Sequence, residues 1–339
     1  MTESSTVEYR SFQPGDSAAI VRVWNAAAPQ DGITPRRFRD WILLDRNFEA
    51  AGLQVALVDG EIVGAGYGLR RRVALRGDDI ESGKGWISFL VVHPQHQGRG
   101  IGGALLDRTM AWLASVGVQE VRYSDSTPNY VLPGLDAARY PIGSALFASR
   151  GFEVESRPSA MALSLRGYET PAEVAERREA LVSAGWFFGN PSDDDLIALI
   201  QVAEEFNPDW PRVLRETVLG GLPLERIVIA KDPTGALLGW AMHGTYDNVI
   251  DRFGPYGVLT TSRGTGLGTV LLHVTLTQMA AMFAQTAWFL WADEGSAAAR
   301  LYAKHGFEIT RTFDILRAVL PDGAASATAE ASPASPTKE

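Results

Sequence analysis

Residues 97–106 read QGRGIGGALL, and residues 263–272 read RGTGLGTVLL. An apolar run, WISFLVV at 86–92, precedes the first stretch. After it Ile101, Leu105, Trp112, Leu113 and Val116 recur at helical spacing, as Leu272, Leu276, Met279 and Phe283 do after the second. A strand, a glycine loop and an amphipathic helix in that order build an anion site. Residues without side chains let consecutive backbone N–H groups converge, and the helix start adds partial positive charge. A phosphate or pyrophosphate is the natural guest. Neither loop carries the Gly-Lys-Ser/Thr of a nucleoside-triphosphate loop. A dinucleotide fingerprint is formally met by Gly98, Gly100 and Gly103, but Thr269 stands in place of the last glycine in the second stretch.

The two loops belong to a longer echo. PGDSAAIVRVW from Pro14 resembles PSDDDLIALIQ from Pro191, each a proline, an acidic cap and helix-spaced apolar residues. VALVDGEIVGAGYG (55–68) and IVIAKDPTGALLGWAMHG (227–244) read as hairpins turning at Asp-Gly and Asp-Pro-Thr-Gly. LFASRGF (146–152) and LYAKHGF (301–307) close the series. Four landmarks in one order mean a duplicated domain of about 150 residues, within the usual domain size. The mixture of hairpins and helical crossovers predicts an α/β fold with a mixed sheet in each copy. The expected boundaries are 7–165 and 185–320, with a helical connector between. The Ala/Ser/Pro/Thr-rich residues 321–339 are expected to form a disordered tail.

Bulk properties narrow the class. The 339 residues carry a formal charge of −9 and no cysteine. Disulfides, thiolate metal sites and a cysteine nucleophile are therefore excluded. The acidic balance argues against nucleic acid as a partner. No stretch is long and apolar enough for a membrane span, and the first twenty residues lack a secretory pattern, so a cytoplasmic protein is expected. The five histidines show no paired metal-ligand spacing.

The pattern Gln97-x-x-Gly100-x-Gly102 after Val-x-Pro, repeated as Arg263-x-x-Gly266-x-Gly268, resembles the acyl-CoA loop of the GCN5-related N-acetyltransferase (GNAT) family. The phrase ending in Gly-Phe resembles that family's second motif. The resemblance covers both halves and implies two tandem GNAT domains, each a mixed, splayed β-sheet flanked by helices. It implies acetyl-CoA as co-substrate, a primary amine of a small molecule as acceptor, direct transfer and no metal. By position, Val91 and Val92 in the first copy, and Val258 and Leu259 in the second, are expected to offer backbone bonds to pantetheine. The pyrophosphate is assigned to Gln97, Gly98, Arg99, Gly100, Ile101, Gly102 and Gly103, and to Arg263, Gly264, Thr265, Gly266, Leu267 and Gly268. The second copy has Thr260 where proline is common.

The closing heptads differ at one position with chemical weight, Tyr302 against Phe147. A tyrosine hydroxyl protonates a departing thiolate, and a phenyl ring does not. Tyr302 is accordingly the expected catalytic residue, which makes the second copy the working one. A packing tyrosine is the structural reading of the same spacing. The extra segment TPNYVLPGLDAARYP (127–141) carries Tyr130 and Tyr140 as substitute acids, which would move the work to the first copy. A non-catalytic acyl-CoA sensor is the competing class. Asp247, Asp251, Asp293 and Glu294 flank the second site with no basis for choosing a general base among them. LRRRVALR (69–76) reads as a sheet edge guarded by charge.

Overall fold

The computed structural model describes residues 6–75, 80–126, 130–207, 209–246, 248–262 and 264–320. The tail reading for 321–339 lies outside the described residues. In chain order the first half runs β1 (Val7–Ser11), α1 (Ser17–Ala27), α2 (Pro35–Phe38), β2 (Leu53–Val58), β3 (Glu61–Arg70), β4 (Lys84–Val92), α3 (Ile101–Ser115), β5 (Glu120–Tyr123), α4 (Pro141–Ala148), β6 (Glu153–Ser156) and β7 (Ser159–Ser164). The second half runs α5 (Ala172–Ser183), β8 (Phe187–Gly189), α6 (Leu196–Phe206), α7 (Trp210–Leu219), β9 (Ile227–Lys231), β10 (Leu237–His243), β11 (Phe253–Val258), α8 (Leu267–Ala281), β12 (Thr286–Ala292), α9 (Ala297–Lys304), β13 (Glu308–Thr312) and β14 (Ile315–Val319).

Two compact units result, but not the two the repeat predicts. The first holds the described residues up to Arg157 together with 313–320; the second is Pro158–Thr312. Each copy gives away its final strand. The first sheet has the order β1-β2-β3-β4-β5-β14-β6, and in the second unit β12-β7-β13 form a sheet of the corresponding order. Leu316 and Ala318 of β14 register with Tyr123 and Val121, while Trp288 of β12 registers with Ala162 of β7. The boundary expected at 165 therefore moves to 157, because β7 pairs with the later strands. Sequence similarity places a strand within its copy, but the ladder it joins is decided by non-local pairing.

Within the first unit the pleat sorts side chains by parity. Ala65, Tyr67 and Leu69 of β3 face the core that holds Trp24 of α1 and Phe89 of β4. Gly64, Gly66 and Gly68 face α3. A Cβ on Gly64 would lie 2.9 Å from Leu105, and one on Gly68 would lie 2.8 Å from Thr109, so the bare backbone is what lets the helix sit close. Asp59 and Gly60 both take positive φ, 51° and 81°, the geometry of a tight hairpin turn. The charged stretch after β3 is not a sheet edge. β3 is flanked by β2 and β4, and Arg71 is buried, paired with Glu81 and set 5.1 Å from the Trp86 ring.

In the second unit α8 packs Leu272, Leu276 and Met279 inward as the spacing predicts. Phe283 departs from that face: it lies beyond the helix end, at φ 66° and 85% exposed. Among the described residues no helix is long and apolar enough to cross a membrane.

Candidate active site

The first unit opens a gap in its sheet. β4 and β5 run parallel and register only from Lys84 with Glu120 to Ile87 with Tyr123. Beyond that point Ser88, Phe89, Leu90, Val91 and Val92 border a cavity of about 750 Å³. The N–H of His93 donates to the Val63 carbonyl (2.8 Å), and a Cβ on Gly64 would lie 3.2 Å from the Val91 carbonyl oxygen. Backbone direction alternates along a strand, so Val91 and His93 spend their polar groups on β3. Leu90 and Val92 turn theirs toward the gap. Of the two residues assigned to pantetheine, Val92 turns its backbone groups away from β3 and Val91 is bonded to β3, while Leu90 shares the direction of Val92. The Gln97 side chain donates to the Val92 carbonyl (2.9 Å), tying the loop to the end of the strand.

The loop itself has the backbone its glycines allow. Gly98 and Gly100 adopt φ 72° and 81°, and a Cβ on either would meet open space. Gln97, Gly98, Gly100, Ile101, Gly102 and Gly103 all border the cavity beside the start of the 15-residue helix α3. Arg99 is turned away from it, its Nη1 3.1 Å from His96 Nδ1. The arrangement fits the diphosphate of an acyl-CoA, with consecutive N–H groups at a positive helix end.

Three further polar side chains, those of Asp31, Tyr123 and Tyr140, border the same cavity. Tyr140 precedes α4, and its hydroxyl donates to the carboxylate of Asp31. Tyr123 ends β5 with its ring 4.5 Å from that of Phe147. Burial, with the negative charge of Asp31 adding to it, pushes the Tyr123 hydroxyl up to about 12, so it holds its proton at neutral pH. Phe147 itself is buried against Tyr123 and Phe152. The ring beside Phe147 that carries a hydroxyl is thus Tyr123, at the end of β5.

The second unit repeats the loop and the parting of the sheet, β11 and β12 meeting only at the bridge of Arg252 with Trp288. Gly264 and Gly266 take φ 80° and 83°, matching the first loop. Arg263 lies outside the described residues. Gly264, Thr265 and Gly266 border a smaller cavity of about 420 Å³, together with Glu173, Arg177, Lys304 and His305. The Arg177 guanidinium, on α5, donates to the Thr265 carbonyl (2.6 Å) and so lies across the loop. Leu267 is buried, and the Tyr256 hydroxyl donates to the Gly268 carbonyl (2.7 Å). The N–H of Leu259 donates to Leu238 (2.8 Å), so its backbone is taken up by β10 and Val258 faces the other way. Neither residue borders the smaller cavity.

Tyr302 sits in the core. It is 7% exposed, ringed by Phe289 (4.7 Å between centroids), Phe307 (5.4 Å), Phe253 (5.9 Å) and Tyr256 (6.0 Å). Burial raises its hydroxyl far above the ordinary tyrosine range. It borders neither of the two cavities. Asp251 accepts the N–H groups of Gln285 and Thr286, and Asp293 accepts the Trp291 indole N–H, both local structural bonds. Asp247 lies outside the described residues. Among the described residues no cluster of three or more histidines and carboxylates is arranged to hold a metal.

Sequence reasoning missed Asp31, Tyr123 and Arg177. Asp31 and Tyr140 stand 109 residues apart, and no local pattern announces such a pair. Tyr123 carries a weak signal, as a polar aromatic at the end of the strand after the glycine helix.

Known proteins share sequence and fold with this chain. The model of the Acetyltransferase (GNAT) family matches residues 18–131. A mycothiol acetyltransferase from Thermobispora bispora is 27% identical over 314 residues, covering 87% of this chain and 93% of that one. Among solved structures, a GCN5-related glucosamine N-acetyltransferase region of a fungal multi-domain β-N-acetylglucosaminidase superposes with a TM-score of 0.76. It is 16% identical, over 93% of this chain and 38% of that one. A tandem GNAT protein from the clavulanic acid biosynthesis pathway superposes at 0.65 with 18% identity, over 94% and 100% of the two chains. At these identities the structures report fold alone.

Proposed function

Because this chain is a tandem GNAT-type acyltransferase, we propose that its first unit takes up acetyl-CoA and acetylates a primary amine of a small molecule. The second unit acts as a structural partner without turnover. The observation that carries this reading is the cavity of about 750 Å³ that joins an open glycine loop, a split sheet and two tyrosine hydroxyls. The second unit has the loop with a smaller cavity, Arg177 bonded to the loop carbonyl of Thr265 and aromatic rings around Tyr302. The assignment of work to Tyr302 therefore gives way to one centred on the first unit.

Bound acetyl-CoA supplies an activated acetyl thioester. The chain's contribution follows from what borders the gap. Loop N–H groups from Gly98 to Gly103 hold the diphosphate, and Leu90 and Val92 offer backbone bonds along the split strand. An N–H on that strand edge is placed to stabilise negative charge developing on the acetyl oxygen. The Tyr123 hydroxyl holds a proton beside Phe147 for the departing sulfur, a transfer that general-acid catalysis makes worth about 10²-fold or more. The amine loses its protons to Asp31 or water as the C–N bond forms and the C–S bond breaks.

Calorimetric titration of the full chain with CoA tests the reading, with one site per chain expected. Replacing Gly100 with Ala forces a side chain into left-handed backbone, which costs about 1–2 kcal/mol and should loosen CoA about tenfold. Gly266→Ala should leave CoA affinity unchanged. The opposite pattern, with Gly266→Ala alone weakening CoA, would return the work to the second unit.

A further inference from the structure

We infer that Asp31, held by Tyr140, is the receptor for the acceptor's ammonium group, and that the acceptor is a monoamine with an apolar body. This rests on the reading that the first unit is the working one, and it names the substrate class of that unit. Among the described residues that border the large cavity, Asp31 is the one carboxylate. The same lining includes the apolar side chains of Trp24, Ala27, Ala28, Val131, Leu132 and Leu135. A cation entering such a space has one place to put its charge, and a polycation has nowhere for its second. An apolar body replaces water on the remaining wall with a gain of about 25 cal/mol per Å² covered.

The carboxylate is also built to stay in place. It lies in a 3₁₀ turn, Pro29–Asp31, directly after α1. The Trp24 indole N–H donates to the Asp31 carbonyl (2.9 Å). Asn25 grips the following backbone twice, accepting from the Ile33 N–H (2.7 Å) and donating to the Ile33 carbonyl (3.1 Å). Tyr140 then fixes the side chain by donating its hydroxyl to one carboxylate oxygen. The cavity's other charged side chain, Arg139, pairs with Asp136 at 3.4 Å. Two segments far apart in sequence thus converge to hold one negative charge at the lining of a largely apolar cavity.

The test compares 2-phenylethylamine with its neutral isostere 2-phenylethanol, titrated into the full chain saturated with CoA so that no transfer occurs. The amine should bind the wild type at least about tenfold tighter than the alcohol, the contribution of a charge-assisted hydrogen bond. In Asp31→Asn that preference should fall to within about twofold, because the amide cannot offer the charge. A ratio is unaffected by the fraction of chain folded, so a structural role for Asp31 would not move it. Tyr140→Phe should loosen the amine by a smaller factor and leave the alcohol unchanged. Spermidine should bind more weakly than 2-phenylethylamine. An amine-to-alcohol ratio that survives Asp31→Asn overturns the inference, as does tighter binding of spermidine. Loss of CoA binding would instead overturn the functional reading. The same amine and alcohol titrations on CoA-free chain then decide the role of Asp31 separately.

Discussion

The two units share a left-handed loop backbone, φ 72° and 81° against 80° and 83°, yet the first loop borders a cavity of about 750 Å³ and the second one of about 420 Å³. The difference lies in what surrounds the loop. In the first unit the sheet parts after four registered residues, and the space beyond is left to Tyr123, Tyr140 and Asp31. In the second, β11 and β12 meet only at the bridge from Arg252 to Trp288, and aromatic rings fill the space between helix and sheet. Glycine spacing specifies a cradle. On the proposed reading, side chains distant in sequence decide whether a cradle serves a ligand, and Tyr302, buried among aromatic rings, packs rather than reacts.

The largest expected effect tests that last statement. Tyr302→Ala removes a ring from an aromatic cluster and should cost about 3–5 kcal/mol of stability, seen as a lowered denaturant midpoint. Tyr302→Phe keeps the ring and should retain turnover within about twofold. Loss of turnover in Tyr302→Phe with CoA binding intact would break the contrast between the units.

Next in size is the hydroxyl on the other side of the comparison. Tyr123→Phe should lower kcat about 10²-fold in a thiol-release assay, with CoA affinity unchanged. The ring remains against Phe147, so the fold should be kept. Unchanged kcat would mean that a different group protonates the sulfur.

A pH dependence follows from histidines buried in the second unit. Burial lowers both His243 and His273 to about 4, and His273 Nε2 lies 2.9 Å from His305 Nδ1, whose charge would oppose its own. The folded-state values lie below the ordinary 6.5, so between the two the unfolded chain binds more protons. Their stabilising contribution is complete above pH 6.5 and is lost as pH falls toward 4. Thermal midpoints should drop on acidification from pH 7 to 5, with a loss on the order of 2 kcal/mol. His273→Gln should flatten that slope, and an unaltered slope would place the acid-sensitive group elsewhere.

What was legible in the sequence divides along the same line. The hairpin at Asp59-Gly60, the left-handed glycines and the inward faces of α3 and α8 are local matters of turn chemistry and periodicity, and they were readable. The exchange of β7 and β14 was not, because a repeat records ancestry while a ladder records pairing. The backbone parity that replaces Val91 with Leu90 turns on a register known only once β3 and β4 are paired. Asp31 with Tyr140, and Arg177 over its loop, are long-range contacts between residues whose types occur on any surface. Phe147 against Tyr302 was legible as a difference of one hydroxyl, whereas the contact of Phe147 with the Tyr123 ring joins a helix to an earlier strand and was not.

The smallest expected effect concerns Arg177. Its guanidinium donates one bond from an exposed helix position to the Thr265 carbonyl, and an exposed bond of this kind contributes about 1 kcal/mol or less. Arg177→Ala should therefore barely shift the denaturant midpoint. If Arg177 alone kept CoA out of the second unit, its removal would raise the stoichiometry from one site per chain to two. The expectation is that the count stays at one. Tyr256 remains bonded to the Gly268 carbonyl, Leu267 remains buried at the helix start, and Tyr302 remains packed among its aromatic neighbours. A second CoA bound by Arg177→Ala would show that one side chain, rather than the packing of the whole unit, separates the two halves.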